Sequence, residues 1–226
     1  MESASHDYLD TLGAYAVRYV KAGQTIGLGT GRAAAAFIQA LARSAVRVRG
    51  VPTSKASEEL GRSLGIEMVA LADAGTIACD FDGADEVDPH LNLTKGHGGA
   101  LLREKIVAAS SRRFIVLVGA EKLVRTLGNR GSLPVEIVPF GAPLAMRRIA
   151  ELGLPPKLRQ SNGADFVTDN GNLILDCGVK EIRNPARLER ELLAIPGVVG
   201  TGLFVGMADM VLVADPKGRV RVLRRR

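Results

Sequence analysis

The sequence predicts an α/β protein: a doubly wound, mainly parallel sheet domain carrying a second, smaller ferredoxin-like α+β domain. Three observations predict it. Strand-sized apolar runs alternate with helical patterns as far as Val118, the pattern of a sheet covered on both faces. The first strand runs into a glycine-rich turn that opens a helix. After a break at Gly128-Asn129-Arg130-Gly131-Ser132 the order becomes β-α-β-β-α-β, that of a ferredoxin-like module. The expected domains are therefore 1–128 with 203–226, and 129–202.

Asp7–Lys21 reads as a first helix, with Leu9, Leu12, Ala16 and Val20 near helical spacing and Gly23 as its stop. Thr25–Leu28 is a short strand leading into Gly29-Thr30-Gly31, and Arg32–Arg43 is helical by propensity. The dinucleotide pattern G-x-G-x-x-G fails there, because Arg32 stands at the last glycine position and no acid ends the next strand, Val46–Val51. The Walker pattern is absent too. A cradle for a single phosphate remains, beside the plainer reading of a strand–helix turn. Ser54 or Thr53 caps a helix over Lys55–Leu64, and Ile66–Leu71 is a strand. The helix Ala100–Ser110 has an expected apolar stripe of Leu102, Ile106 and Ala109, with Glu104 off it. Phe114–Val118 is a buried strand.

In the second domain, Val135–Val138 is a strand and Pro143–Leu152 a helix. A strand Asp165–Thr168 returns through the turn Asp169-Asn170-Gly171-Asn172 into Leu173–Cys177. Asn184 caps a helix that Pro185 opens and that runs to Ala194. Leu203–Val205 and Met210–Val213 are apolar strands that complete the first domain.

Apolar residues make up 46% and charged residues 24% of the 226, the balance of a globular protein with a Val/Leu/Ile/Ala core. No apolar run reaches membrane-span length, so no membrane partner is expected. The start of the chain shows no signal peptide, and a cytoplasmic location is expected. The net charge of +6 invites a nucleic-acid reading, but the arginines are scattered and stacking aromatics are absent. An anionic small molecule accounts for the charge as well. Cys79 and Cys177 read as core thiols, and His6, His90 and His97 are too dispersed for a zinc site. No metal and no cofactor is expected.

The chemistry concentrates in Cys79–Lys105. Asp80, Asp82, Asp85 and Glu86 follow an apolar run, then come Lys95, the glycines Gly96, Gly98 and Gly99, and a helix start with Glu104. Taken singly, Asp82-Gly83-Ala84-Asp85 also fits a turn, and Glu104 also fits a first-turn charge. Together they fit a site in which acids move protons while a lysine and loop amides hold an oxyanion. So many acids at a strand end that can be buried are costly unless paired or used.

D-G-A-D-E (82–86), K-G-H-G-G-A-L-L-R-E-K (95–105), G-L-G-T-G (27–31), L-P-V-E-I-V-P (133–139) and I-P-G-V-V-G-T-G-L-F (195–204) closely resemble the ribose-5-phosphate isomerases of type A. The resemblance runs nearly the full length. It implies cofactor-independent interconversion of ribose 5-phosphate and ribulose 5-phosphate, in the non-oxidative pentose phosphate pathway. It also implies a homodimer or homotetramer. On it, the general base falls on Glu104, the ring-opening and proton-handling acids on Asp82 and Asp85, and substrate lysines on Lys95 and Lys122. The loop amides fall on Gly96, His97 and Gly98, the phosphate loop on Thr30, Gly31, Arg32 and Ala33, and further substrate contacts on Gly83 and Ala84. Three departures stand out: Arg32 and Ala33 replace two hydroxyl residues, Leu9 stands at a lysine position, and His97 replaces a glycine. His97 is expected to take an ordinary negative φ; the alternative is a side chain that reaches the site. A non-catalytic sugar-phosphate sensor on the same scaffold is the alternative function, and it would not need the base.

Overall fold

The computed structural model describes residues 3–225, with side chains from Tyr8 onward. Met1 and Glu2, which open the segment read as lacking a signal peptide, lie outside the described residues, as does Arg226. The chain forms two compact units, one holding the chain up to Ala84, Arg103–Leu123 and Met207 onward, the other Asp85–Leu102 and Val124–Gly206. Residues 85–102, grouped with the α/β domain on sequence, therefore pack within the second unit.

The first unit is built on a seven-stranded sheet of β1 (Thr25–Leu28), β2 (Arg49–Pro52), β3 (Glu67–Met68), β4 (Ile77–Gly83), β7 (Phe114–Gly119), β15 (Met210–Ala214) and β16 (Val220–Arg224). The spatial order is β16-β15-β7-β4-β1-β2-β3. Every neighbouring pair is parallel except the β15–β16 hairpin. From β1 the sheet grows one way through β2 and β3, and from β4 the other way through β7 and β15. The β1/β4 boundary is thus a topological switch point, where ligands of open α/β sheets bind beyond the strand carboxyl ends.

Helices α1 (Ser3–Ala16) and α2 (Arg32–Arg43) cover one face. Leu12, Phe37, Ile38 and Leu41 pack there on Ile26, Leu28, Phe81, Ile115 and Leu117, with Phe37 and Phe81 stacked at 4.3 Å. Helix α3 (Lys55–Ser63) starts from a capping box between Ser54 and Ser57. Helix α4 (Leu101–Ser110) brings Val107 against Val51, Ala74 and Ile77. β2 is shorter than the run Val46–Val51 because its partner β1 begins only at Thr25, opposite Arg49.

The second unit contains β5 (Glu86–Val87), β6 (Leu93–Thr94), β8 (Ser132–Ile137), β9 (Pro156–Leu158), β10 (Gln160–Ser161), β11 (Ala164–Asp165), β12 (Leu173–Gly178), β13 (Val198–Thr201) and β14 (Leu203–Phe204). Its helices are α5 (Ala142–Glu151) and α6 (Pro185–Leu193). The antiparallel sheet β13-β8-β12-β9 with α5 and α6 has the β-α-β-β-α-β order predicted, but the second strand is Pro156–Leu158 rather than Asp165–Thr168. The segment between forms its own hairpin, turning at Asn162 (φ 52) and Gly163 (φ 81), the Asn-Gly pair suited to a tight turn. Leu203–Phe204 also departs from expectation. It pairs with β6 in a small three-stranded sheet rather than with the large one.

Among the described residues no helix is long and apolar enough to cross a membrane. Cys79 and Cys177 are buried and free. Burial pushes the Cys177 thiol up to about 12, so it is a packing residue rather than a nucleophile.

Candidate active site

In the first unit the glycines after β1 are explained by what lies above them. A Cβ at Gly27 would collide with the Asp80 carboxylate, and one at Gly29 with Asp82. Asp80 and Asp82 alternate along β4 with Cys79 and Phe81, which face the apolar core. Both acids are fully buried. Asp82 Oδ1 accepts the N–H of Thr30 at 3.0 Å and that of Gly83 at 2.7 Å, tying the end of β4 to the loop after β1. A Cβ at Gly83 would stand 3.8 Å from that of Ala33, so the D-G-A-D turn and the G-T-G-R-A loop touch at the switch point.

Gly31 has φ 97 and leaves α2 without a side-chain cap. The first N–H groups of a twelve-residue helix are thereby directed at the loop, the arrangement that suits an anion. The Thr30 hydroxyl shares hydrogen bonds of 2.8 Å with Thr53 and Ser54. Thr53 and Ser54 were visible in the sequence only as cap candidates. Arg32 and Gly31 are exposed and Ala33 half-buried. Arg32 also exerts a lowering pull on the Tyr8 phenol, which burial and its hydrogen bond to Glu121 hold above the ordinary value. Lys122 is half-buried in the short helical turn after β7.

Glu104 sits in the first turn of α4 and is 5% exposed. The expected stripe of that helix is corrected here. Ile106 and Ala109 are exposed, while Leu101, Glu104, Val107 and Ala108 are buried, so a carboxylate lies on the packed face.

In the second unit Asp85 and Lys95 flank the β5–β6 hairpin, with the Asp85 N–H bonded to the Thr94 carbonyl at 2.8 Å. The hairpin turn is closed by Asp88, whose Oδ1 accepts from the N–H groups of His90 and Asn92. Lys95 is 3% exposed, with Nζ 5.5 Å above the Phe204 ring. Glu86, equally buried, accepts the N–H groups of Gly128 and Arg130, which makes it a clamp on that loop rather than a proton carrier. Gly96 (φ 106) and Gly99 (φ 82) take conformations that suit glycine, whereas His97 does not need one. The histidine side chain nonetheless reaches an acid: Nδ1 lies 3.2 Å from Asp85 Oδ1, and its N–H donates to Oδ2 at 3.2 Å.

Burial pushes the Asp85 carboxyl up, but the His97 side chain and N–H and the Lys95 charge outweigh it and hold it below the ordinary value. A depressed folded-state pKa adds stability above the ordinary carboxylate range and loses it as pH falls through the lowered value. In urea unfolding between about pH 3 and 6, Asp85→Asn is therefore expected to flatten the acid limb of the stability curve. An acid limb as steep as that of the unaltered protein overturns this.

Among the described residues no group of three His, Cys, Asp or Glu side chains is arranged to hold a metal ion. The site residues read from sequence thus form two sets. Thr30–Ala33, Asp82–Ala84, Glu104 and Lys122 lie in the first unit, Asp85 and Lys95–Gly98 in the second.

The family profile described as ribose 5-phosphate isomerase A (phosphoriboisomerase A) matches residues 49–218. The ribose-5-phosphate isomerase A of Roseiflexus castenholzii is 50% identical over 213 residues, covering 92% of this chain and 91% of its own length. That of Gloeobacter violaceus is 48% identical, covering 92% of each. Among solved structures, the Methanocaldococcus jannaschii ribose 5-phosphate isomerase A superposes with a TM-score of 0.91 at 38% identity, covering 96% of this chain and 98% of its own. The ribose 5-phosphate isomerase of Plasmodium falciparum gives 0.94 at 34% identity, covering 98% and 99%. A D-ribose-5-phosphate isomerase in complex with phospho-erythronic acid gives 0.92 at 36% identity, covering 97% and 99%. Fold and comparisons together define an aldose–ketose isomerase of the α/β class. The chain belongs to the ribose 5-phosphate isomerase A family.

Proposed function

We propose that the protein interconverts D-ribose 5-phosphate and D-ribulose 5-phosphate through an enediolate, with Glu104 as the general base. Glu104 takes the proton from C2 of the open-chain aldose; the C–H electrons form the C1=C2 bond and the C1 carbonyl oxygen takes the negative charge. The same carboxylic acid then delivers the proton to C1 while the C2 hydroxyl gives up its proton, which Asp82 or Asp85 passes to the C1 oxygen, so that C2 becomes the ketone and C1 the hydroxymethyl group. Lys95 and the amides of Gly96 to Gly98 stabilise the oxyanion as it develops. Asp82 and Asp85 open the furanose ring and move the hydroxyl protons. The loop Thr30 to Ala33, with Lys122, holds the phosphate, whose binding energy positions the reacting carbons.

The observation that carries this reading is a base in the right setting. Glu104 is buried on the packed face of α4, ten residues or fewer after Lys95 and the loop amides in a chain half-identical to named isomerases. A sugar-phosphate sensor has no use for a carboxylate buried at such cost. We place the reaction in the non-oxidative pentose phosphate pathway and in the cytoplasm, where the two free thiols fit. The assembly is a homodimer or homotetramer, which light scattering measures.

The decisive assay mixes the purified protein with ribose 5-phosphate in excess EDTA and follows ketopentose formation. Turnover is expected to survive exhaustive chelation, because Lys95 and the loop amides supply the electrophilic assistance. Loss of activity restored by one particular divalent ion overturns the mechanism. Binding without turnover in any buffer favours the sensor.

A further inference from the structure

We infer that Arg159, held by Asp176, is a positioning residue that sets the 96–98 loop, aiming the Gly98 amide at the reacting sugar oxygens and the His97 amide at the Asp85 carboxylate. The inference rests on the isomerase reading above. All four residues lie in the second unit. Arg159 Nε donates to Asp176 Oδ2 at 2.9 Å and Nη2 donates to Oδ1, a bidentate pair that fixes the plane of the guanidinium. The remaining nitrogen, Nη1, donates to the main-chain carbonyls of Gly96 at 2.8 Å and His97 at 3.1 Å.

A trans peptide points its N–H opposite its C=O. Holding the Gly96 carbonyl therefore turns the His97 N–H away from Arg159, and holding the His97 carbonyl does the same for Gly98. The first of these N–H groups meets Asp85 Oδ2 at 3.2 Å, and the second belongs to an exposed glycine. A cation on the carbonyl also polarises each peptide, so its N–H donates more strongly. The support extends to Phe166, whose ring lies 5.8 Å from the guanidinium and fills the space where a side chain at Gly99 would stand.

Burial sets this arginine apart. Its side chain is 12% exposed, whereas the paired arginines Arg62, Arg148, Arg183 and Arg187 are 57% exposed or more. A buried ion pair is weak evidence of stabilisation, since desolvation offsets the attraction. Its use here is the geometry it imposes on two carbonyls of the loop.

The test measures isomerisation by the full-length protein and by its Arg159→Lys and Asp176→Asn variants. Lysine keeps the charge and the stem but cannot fork to Asp176 and to two carbonyls at once. Losing one oxyanion donor outright costs about 100- to 1,000-fold, so misaiming the Gly98 amide and loosening the His97 amide from Asp85 in Arg159→Lys is expected to lower kcat about 10- to 100-fold. KM should stay within about threefold. The inhibition constant of a four-carbon phosphorylated hydroxamate, which mimics the enediolate, should rise in parallel with the loss in kcat/KM. That of inorganic phosphate should not move. Asp176→Asn is expected to shift the same quantities in the same direction by less. In Arg159→Ala, added guanidinium chloride should restore part of kcat.

An unchanged kcat and unchanged hydroxamate inhibition in both variants overturn the inference and leave the isomerase reading intact. So does a lowered melting temperature with full turnover per folded molecule. An unaltered protein that does not isomerise ribose 5-phosphate overturns the isomerase reading, and the role of Arg159 with it.

Discussion

Glu104→Gln is expected to bind ribose 5-phosphate almost normally and to lose about 100- to 10,000-fold in kcat. The substitution keeps the volume and one hydrogen-bonding oxygen but removes the lone pair that, on the proposed mechanism, accepts the C2 proton. Glu104 is 5% exposed, packed on the same face of α4 as Val107 and Ala108, so an isosteric amide leaves no cavity and no strained rotamer. The loss therefore belongs in kcat, with KM largely retained, as for an interaction made only as the proton moves. Exchange of the C2 hydrogen with solvent deuterium isolates that step. Exchange persisting in Glu104→Gln at the rate of the unaltered protein assigns the base to another residue.

What the sequence reveals about this site follows from how local each signal is. The motifs D-G-A-D and K-G-H-G-G are short runs in which a turn, a glycine and a charge sit side by side, so their residues could be named individually. Helix α2 was legible to the residue, because Arg32–Arg43 is rich in alanine and bounded by glycine and serine. The face of α4 was not. Helical periodicity assigns apolar residues to the inside, and that rule fails where Glu104 occupies the packed face while Ile106 is 43% exposed. Such a local violation is expected where a residue is kept for chemistry.

Long-range partners were illegible for a different reason. Nothing near Gly27 or Gly29 announces that Asp80 and Asp82, about fifty residues on, occupy the space their side chains would need. Arg159 likewise stands sixty-three residues from Gly96, in a stretch that the sequence assigns to no element. The second strand of the smaller unit was misplaced because two Asn-Gly pairs compete. Asn170-Gly171 does turn the chain, with Val167 bridged to Leu173 and the Thr168 N–H on the Asn172 carbonyl at 2.9 Å, but Asn162-Gly163 closes the small hairpin β10–β11 before it and leaves Pro156–Leu158 to pair with β12.

In the loop proposed to hold the phosphate, where this chain departs from the pattern the resemblance implies, Arg32→Ala is expected to raise KM about 10- to 100-fold. Arg32, Ala33 and Leu9 stand where the family resemblance implies two hydroxyl residues and a lysine. What remains at the carboxyl end of β1 is the uncapped first turn of α2 behind Gly31, with the Thr30 hydroxyl bound to Thr53 and Ser54. A dianion on amides alone lacks a full counter-charge. On the proposed reading Arg32 supplies one, because its guanidinium can donate two charge-assisted hydrogen bonds to a single phosphate. A positive side chain in a helix's first turn is otherwise unfavourable, which argues against a purely structural role. Arg32 is exposed at the start of α2 rather than buried in the core. A hydrogen bond to a charged group contributes about 1.5–3 kcal/mol, the range that the expected change in KM spans. Inorganic phosphate as a competitive inhibitor is the control, and its inhibition constant should rise in parallel. Arg32→Ser combined with Ala33→Thr, which restores the hydroxyls, should recover part of the loss. If KM and the phosphate inhibition constant both stay within about twofold in Arg32→Ala, less than about 0.5 kcal/mol is at stake. The phosphate is then held by the α2 amides and another cation, with Lys122 the first to replace.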